Sequence, residues 1–145
     1  MSVVGKLLFQ GTWCRGIYCN KPLPPDLEAR WHAWVSTLTS LSQVHILRRL
    51  ASSKENFQVH VFYDASEGAY GGTLFVRSTR DNKSLIRLAC SNNRLAPIKR
   101  ITLPQLELSA ALLGTRLLHY FCTATSYDNN QAILWSDATV TLDTQ

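Results

Sequence analysis

The chain lacks any unbroken apolar run of the roughly 18 residues that would mark a membrane-spanning helix, so no membrane partner is expected. Its opening, Met1 to Lys6, lacks the apolar core of a secretory signal. The expected location is intracellular, cytoplasmic or nuclear. Cysteine is sparse and scattered: Cys14, Cys19, Cys90 and Cys122 form no Cys-x-x-Cys pair, and no two histidines sit at zinc spacing. Free thiols, some of them buried, are expected rather than a zinc or disulfide framework. Without a signal, Asn82-Lys83-Ser84 is not a working glycosylation acceptor. Gly71-Gly72 is not followed by Gly-Lys-Ser/Thr, which excludes a phosphate loop. Proteolytic machinery is missing as well. An aspartic protease needs Asp-Thr/Ser-Gly, whereas the triplets here are Asp64-Ala65-Ser66 and Asp137-Ala138-Thr139, and no Ser/His/Asp or Cys/His arrangement stands out.

What is present is the composition of a folded globular protein, with 46% hydrophobic and 17% charged residues. At 145 residues it is one domain, or one domain with an attached piece. A chain of this size buries roughly 70% of its unfolded surface, enough for a real core. The net charge of +5 is unevenly spread. Between Arg77 and Arg100 lie Arg77, Arg80, Lys83, Arg87, Arg94, Lys99 and Arg100, against Asp81 alone. Such a basic excess suits a polyanionic partner.

Residues 1–21 show short apolar pieces and an aromatic-rich end, Trp13 to Tyr18, without a clear period. Pro22-Leu23-Pro24-Pro25 breaks the chain and favours a helix start. Leu27, Trp31, Trp34, Val35 and Leu38 then trace one helical stripe. Val44 and Ile46 give a weak strand signal, and 51–56 is polar. From Phe57 the period changes to two: Phe57, Val59, Val61 and Tyr63 share a face, and Gln58, His60, Phe62 and Asp64 share the other. Two further strands follow across short turns, which predicts an antiparallel meander. The paired glycines in the second strand predict a bulge or a close backbone approach. Thr102-Leu103-Pro104-Gln105 is a capping box with proline in the first turn. The helix it opens runs to about Cys122 and is apolar nearly all round, which predicts burial on most sides. Ala132 to Trp135 is a last short apolar run, followed by Ser136-Asp137.

Three acids emerge from these apolar runs: Asp64 at a strand end, Glu107 inside the helix, and Asp137 after the last run. Meander, helix and strand together give an α/β layer architecture in which such acids can meet at one sheet edge. Glu107 is flanked by Leu103, Ala110, Ala111 and Gly114, and a carboxylate there needs a partner. A salt bridge to Arg116 or Lys99 is one candidate, and a metal ion is the other. Hard divalent cations take carboxylate oxygens, and a pair of them suits phosphodiester hydrolysis.

Four segments carry a resemblance. They are Phe62-Tyr63-Asp64-Ala65-Ser66-Glu67-Gly68-Ala69-Tyr70-Gly71, Asn93-Arg94-Leu95-Ala96-Pro97, Thr102-Leu103-Pro104-Gln105-Leu106-Glu107-Leu108-Ser109-Ala110-Ala111, and Leu134-Trp135-Ser136-Asp137-Ala138-Thr139. Together they resemble the ribonuclease H region of retrotransposon polyproteins of the BEL/Pao type, also called the Pao retrotransposon peptidase family. The resemblance implies a ribonuclease H-like α/β domain over 57–145, a helical linker over 22–56, and over 1–21 the tail of a reverse-transcriptase portion. It implies hydrolysis of the RNA strand of RNA–DNA hybrids during reverse transcription, with Asp64, Glu107 and Asp137 as catalytic metal ligands for Mg²⁺ or Mn²⁺, two ions in a complete domain. Arg94, Lys99 and Arg100 are expected to bind nucleic acid. The family pattern has a fourth acid and further elements downstream, so the domain is expected to be truncated at its C-terminus. The alternative is a non-enzymatic remnant or domesticated fragment that binds nucleic acid or a polyprotein partner.

Overall fold

A glycine sets the contact between the first two helices. The computed structural model describes residues 2–45, 50, 57–80, 83–128 and 131–137. By its contacts the chain divides into two units, one ending at His45 and the other beginning at Ile46. In the first unit α1 (Val3–Cys14) packs on α2 (Pro25–Leu38). A Cβ on Gly5 would stand 2.6 Å from Cζ2 of Trp34, so glycine is what lets the indole lie across α1. Ser2 caps α1: its Oγ accepts the Gly5 amide at 3.4 Å and the Trp34 Nε1–H at 2.8 Å. Phe9 meets Trp31, and Trp31 meets Trp34, edge-on. Pro25 opens α2, with Asp26 and Glu28 in its first turn beside the positive end of the helix dipole.

The tail expected over 1–21 and the start of the expected linker are therefore packed together in one unit. A 3₁₀ turn, Thr39–Gln43, follows α2, and Val44 and His45 form no strand. The remainder of that weak strand signal, and the polar stretch 51–56, lie outside the described residues.

Among its described residues the second unit is a four-stranded sheet with one helix on one face. β1 (Phe57–Ala65), β2 (Ala69–Arg80) and β3 (Lys83–Leu95) form the expected antiparallel meander. Leu74 opposes Cys90 while Phe75 opposes Leu88, so Ala89 is an extra residue that bulges β3. α3 (Leu103–Thr125) then returns the chain for β4 (Ile133–Trp135), which pairs parallel with β1. A parallel partner requires such a crossover, and the sheet order is β3-β2-β1-β4.

The period-two pattern decides the core. Val59, Val61, Leu74 and Val76 are wholly shielded on the α3 face, together with Leu118 and Phe121. Each such aliphatic side chain contributes about 1.5–3 kcal/mol through burial. The capping box forms as expected: the Thr102 amide donates to Gln105 Oε1 at 3.0 Å. Burial of α3 differs from expectation. Leu106, Ala110, Leu113, Leu118 and Phe121 are buried, but Leu108 is 64% and Leu112 54% exposed. The helix is covered on one side only, because among the described residues a single layer packs on it, the sheet. The opposite face of the sheet carries Phe62, Phe75 and Trp135 in mutual ring contact through Phe62.

Candidate active site

Tyr63 and Gly72 mark where α3 comes closest to the sheet. A Cβ on Gly114 would lie 3.0 Å from Tyr63 Cδ1, and one on Gly72 would lie 3.4 Å from Gly114 Cα. The glycine pair seen in sequence thus serves, at Gly72, a close backbone approach. At the other end of the sheet Phe57 stacks on Tyr127, just beyond α3, with centroids 4.9 Å apart. Phe57 begins β1 and Tyr63 nearly ends it, while Gly114 precedes Tyr127, so α3 runs antiparallel to β1. The N-terminal turns of α3 therefore lie at the C-terminal end of β1. Glu107 is seven residues before Gly114, two turns back on the same helical stripe.

Asp64 is the next-to-last residue of β1, paired with Gly71. It is exposed, and its Oδ1 accepts the Ala65 amide at 2.6 Å. Asp137 is reached through the β1–β4 register. His60, Val61 and Phe62 oppose Ile133, Leu134 and Trp135. Two residues onward lie Asp64, still within β1, and Asp137, past the end of β4, so both follow the paired residues at the same end of the sheet. The three expected acids thus share one end of the domain, with Asp137 exposed and Glu107 half-buried.

Neither Arg116 nor Lys99 forms a salt bridge with Glu107. The ion pairs found among the described residues are Arg15–Asp26 and His32–Glu28, both in the first unit. Among the described residues no salt bridge reaches Asp64, Glu107 or Asp137. Three oxygen donors without a protein counter-charge fit a hard divalent cation in kind. They are not drawn together: among the described residues no group of three or more His, Cys, Asp or Glu side chains is arranged to hold a metal ion. Like charges repel, and a cation between them would favour gathering the three ionised carboxylates.

Arg94 is exposed on β3 opposite Tyr70, and Lys99 and Arg100 are exposed in the loop before α3. That loop is tied to the β1–β2 turn by the Ala96 amide donating to the Gly68 carbonyl at 3.0 Å. The basic residues therefore stand on the same end of the unit as Asp64. All four cysteines are free thiols, two exposed and two partly buried. Burial pushes the Cys90 thiol above its ordinary value; it does the same at Cys122, where the Asp128 charge adds to it.

One contact had no signal in the sequence. Trp135 Nε1–H donates to His60 Nδ1 at 3.1 Å across 75 positions of chain. It joins β1 to β4 just before both strands deliver their acids.

A sheet of three antiparallel strands and one parallel strand, a helix crossing one face, and acids at the shared end define an RNase H-like domain. The family model described as Pao retrotransposon-like RNaseH-like domain matches residues 1–138. The chain belongs to that family, and its role is a retrotransposon RNase H-like one. No curated protein and no solved structure matches it. Among the described residues no helix is long and apolar enough to cross a membrane.

Proposed function

We propose that this chain is a metal-dependent nuclease domain that hydrolyses the RNA strand of RNA–DNA hybrids during reverse transcription, in partnership with a reverse-transcriptase portion of the same polyprotein. The observation that supports the reading is the register of β1 and β4, in which Phe62 opposes Trp135, each two residues before one of the acids, Asp64 and Asp137. Asp64, Glu107 and Asp137 would hold Mg²⁺ or Mn²⁺, two ions for full activity. Bound there, the ions would acidify a water and offset charge on the phosphodiester. The chain's own part is to fix three carboxylates on two strands and a helix and to present Arg94, Lys99 and Arg100 to phosphates. Intracellular action accords with this substrate.

The test is incubation of the full chain with an RNA–DNA hybrid and Mg²⁺ or Mn²⁺. Cleavage of the RNA strand that disappears in Asp64→Asn supports the reading. Hybrid binding without cleavage under either ion overturns it in favour of a binding module.

A further inference from the structure

Beside the acids lies a cavity, shared by Arg100, whose occupant the hydrolytic reading does not name. It has a volume of about 280 Å³ and opens between the β1–β2 turn, the loop after β3 and the first turn of α3. Glu67 and Arg100 line it, and Ala96, Pro97, Leu103 and Leu106 supply apolar wall. Leu106 is buried at 2% exposure and forms floor, while Leu103, 45% exposed, offers its side chain to an occupant. Glu67 and Arg100 carry opposite charges on one cavity, yet they form no salt bridge with each other. Neither has a hydrogen bond or ion pair among the described residues. A ligand for this cavity therefore needs an anionic group for the guanidinium, a flat apolar body, and hydrogen-bond donors for the carboxylate.

We infer that the cavity seats one unpaired guanine nucleotide. The volume is close to the roughly 300 Å³ at which small-molecule sites begin, the scale of a single nucleotide. A phosphate suits the Arg100 fork. The choice of base follows from Glu67. An ionised carboxylate only accepts, through two oxygens. Guanine places N1–H and N2–H side by side and satisfies both oxygens at once. Adenine and cytosine each put a ring acceptor beside their single amino donor, and that lone pair faces the carboxylate. Uracil flanks its one N–H with two carbonyl oxygens. Guanine's two donors are the ones it spends in base pairing, so only an unpaired guanine is read. Unpaired bases are where sequence-specific reading of RNA concentrates.

The inference extends the nuclease reading: within it, the cavity takes an unpaired guanine of the bound strand, beyond the end of the hybrid or in a gap. The experiment stands apart from cleavage. Each of the four 5′-mononucleotides is titrated into the full chain, and the backbone amide shifts of Glu67 and residues 96–106 are followed by NMR. GMP binds about tenfold more tightly than AMP, CMP or UMP, because the others leave a carboxylate oxygen facing an acceptor. Glu67→Gln removes that preference, because its amide oxygen and NH2 offer one acceptor and one donor in place of two acceptors and so meet the donor–acceptor edges of adenine and cytosine as well. Arg100→Met keeps the aliphatic stem and weakens all four nucleotides alike, without reordering them, and it leaves the affinity of phosphate-free guanosine unchanged. Both residues are exposed, so both variants keep the wild-type thermal midpoint. Equal affinity for GMP and AMP, a Glu67→Gln variant that still prefers GMP, or shifts that fall outside these residues overturns the inference. Cleavage of hybrids with no guanine binding would leave the nuclease reading standing and remove this one. Guanine binding without cleavage would do the reverse.

Discussion

Trp135 donates its indole N–H to Nδ1 of His60, and its ring also lies nearly parallel to that of Phe62, 9° apart in plane. The hydrogen bond fixes which neutral tautomer His60 adopts, with the proton on Nε2, since Nδ1 accepts. It also locks a strand of only three residues to β1. Asp64 follows Phe62 by two residues, and Asp137, beyond the end of β4, follows Trp135 by two. Trp135→Phe keeps the stack and removes the donor. We expect a loss of about 1 kcal/mol in stability, measured by urea unfolding. Nuclease activity should fall further than stability does, because the register of Asp137 depends on this contact. An activity loss that merely tracks the unfolded fraction would show that β4 is held by other means.

Neutralising the acids should separate activity from stability. Asp64, Glu107 and Asp137 have no cationic partner among the described residues. Asp64→Asn, Glu107→Gln and Asp137→Asn therefore remove mutual repulsion without breaking an ion pair. Thermal midpoints without added metal should stay equal to or rise above that of the parent, while hybrid cleavage is lost. Added Mg²⁺ or Mn²⁺ should raise the midpoint of the parent, by binding the folded state alone, and not that of the variants. A midpoint that falls sharply in Glu107→Gln would mean that this carboxylate is structural.

At Gly114 α3 leaves little room for a side chain. Its Cβ would meet the Tyr63 ring at 3.0 Å and crowd it against the sheet. Alanine in a helix gains about 1 kcal/mol over glycine, but overpacking costs about 1–3 kcal/mol. Gly114→Ala should be net destabilising, and Tyr63→Leu in the same chain should relieve part of that loss. The test is a double-mutant cycle in urea. Additive losses would show that helix and sheet part without strain.

The cysteines give a pH dependence of known sign. Burial raises the Cys90 and Cys122 thiols above the ordinary value of 9.0 in the folded chain. Below 9.0 both states hold the proton and the stabilisation is complete. As pH rises through that value towards the raised folded values, the unfolded chain ionises first and stability falls. Between about pH 8 and about pH 10 the parent should lose more stability than Cys90→Ala/Cys122→Ala. Iodoacetamide should modify the exposed Cys14 and Cys19 before either partly buried thiol.

Local patterns made much of this domain legible. The alternation from Phe57 to Tyr63 marked β1 and its buried face, and Thr102 with Gln105 marked the start of α3. Both are written in neighbouring residues. The exposure of Leu108 and Leu112 was not legible, since an apolar stripe states what a helix can bury and not whether a second layer is there to bury it. Trp135 on His60, and Glu67 facing the same cavity as Arg100, join residues far apart in sequence, and no local period encodes such pairs. Asp64 and Asp137 were singled out by their place after apolar runs, and Glu107 by its place inside an apolar helix. That Asp64 and Asp137 follow opposed residues, Phe62 and Trp135, at one end of the sheet came only from the strand register.

Salt dependence separates the basic residues from the acids. Arg94, Lys99 and Arg100 are exposed and have no acidic side chain in a salt bridge among the described residues. Their charges are thus free to meet phosphates. Each phosphate contact releases a condensed counterion, so the logarithm of affinity falls linearly with the logarithm of salt concentration. Removing one contact should reduce that slope by roughly 1 and weaken binding alike for every sequence. Arg94→Ala and Lys99→Ala should each do so with a fully paired hybrid, measured by fluorescence anisotropy in Ca²⁺ to prevent cleavage. Asp64→Asn should leave the slope nearly unchanged in metal-free buffer, because it removes repulsion rather than a phosphate contact. An unchanged slope in Arg94→Ala and Lys99→Ala would place the nucleic-acid path elsewhere on the domain.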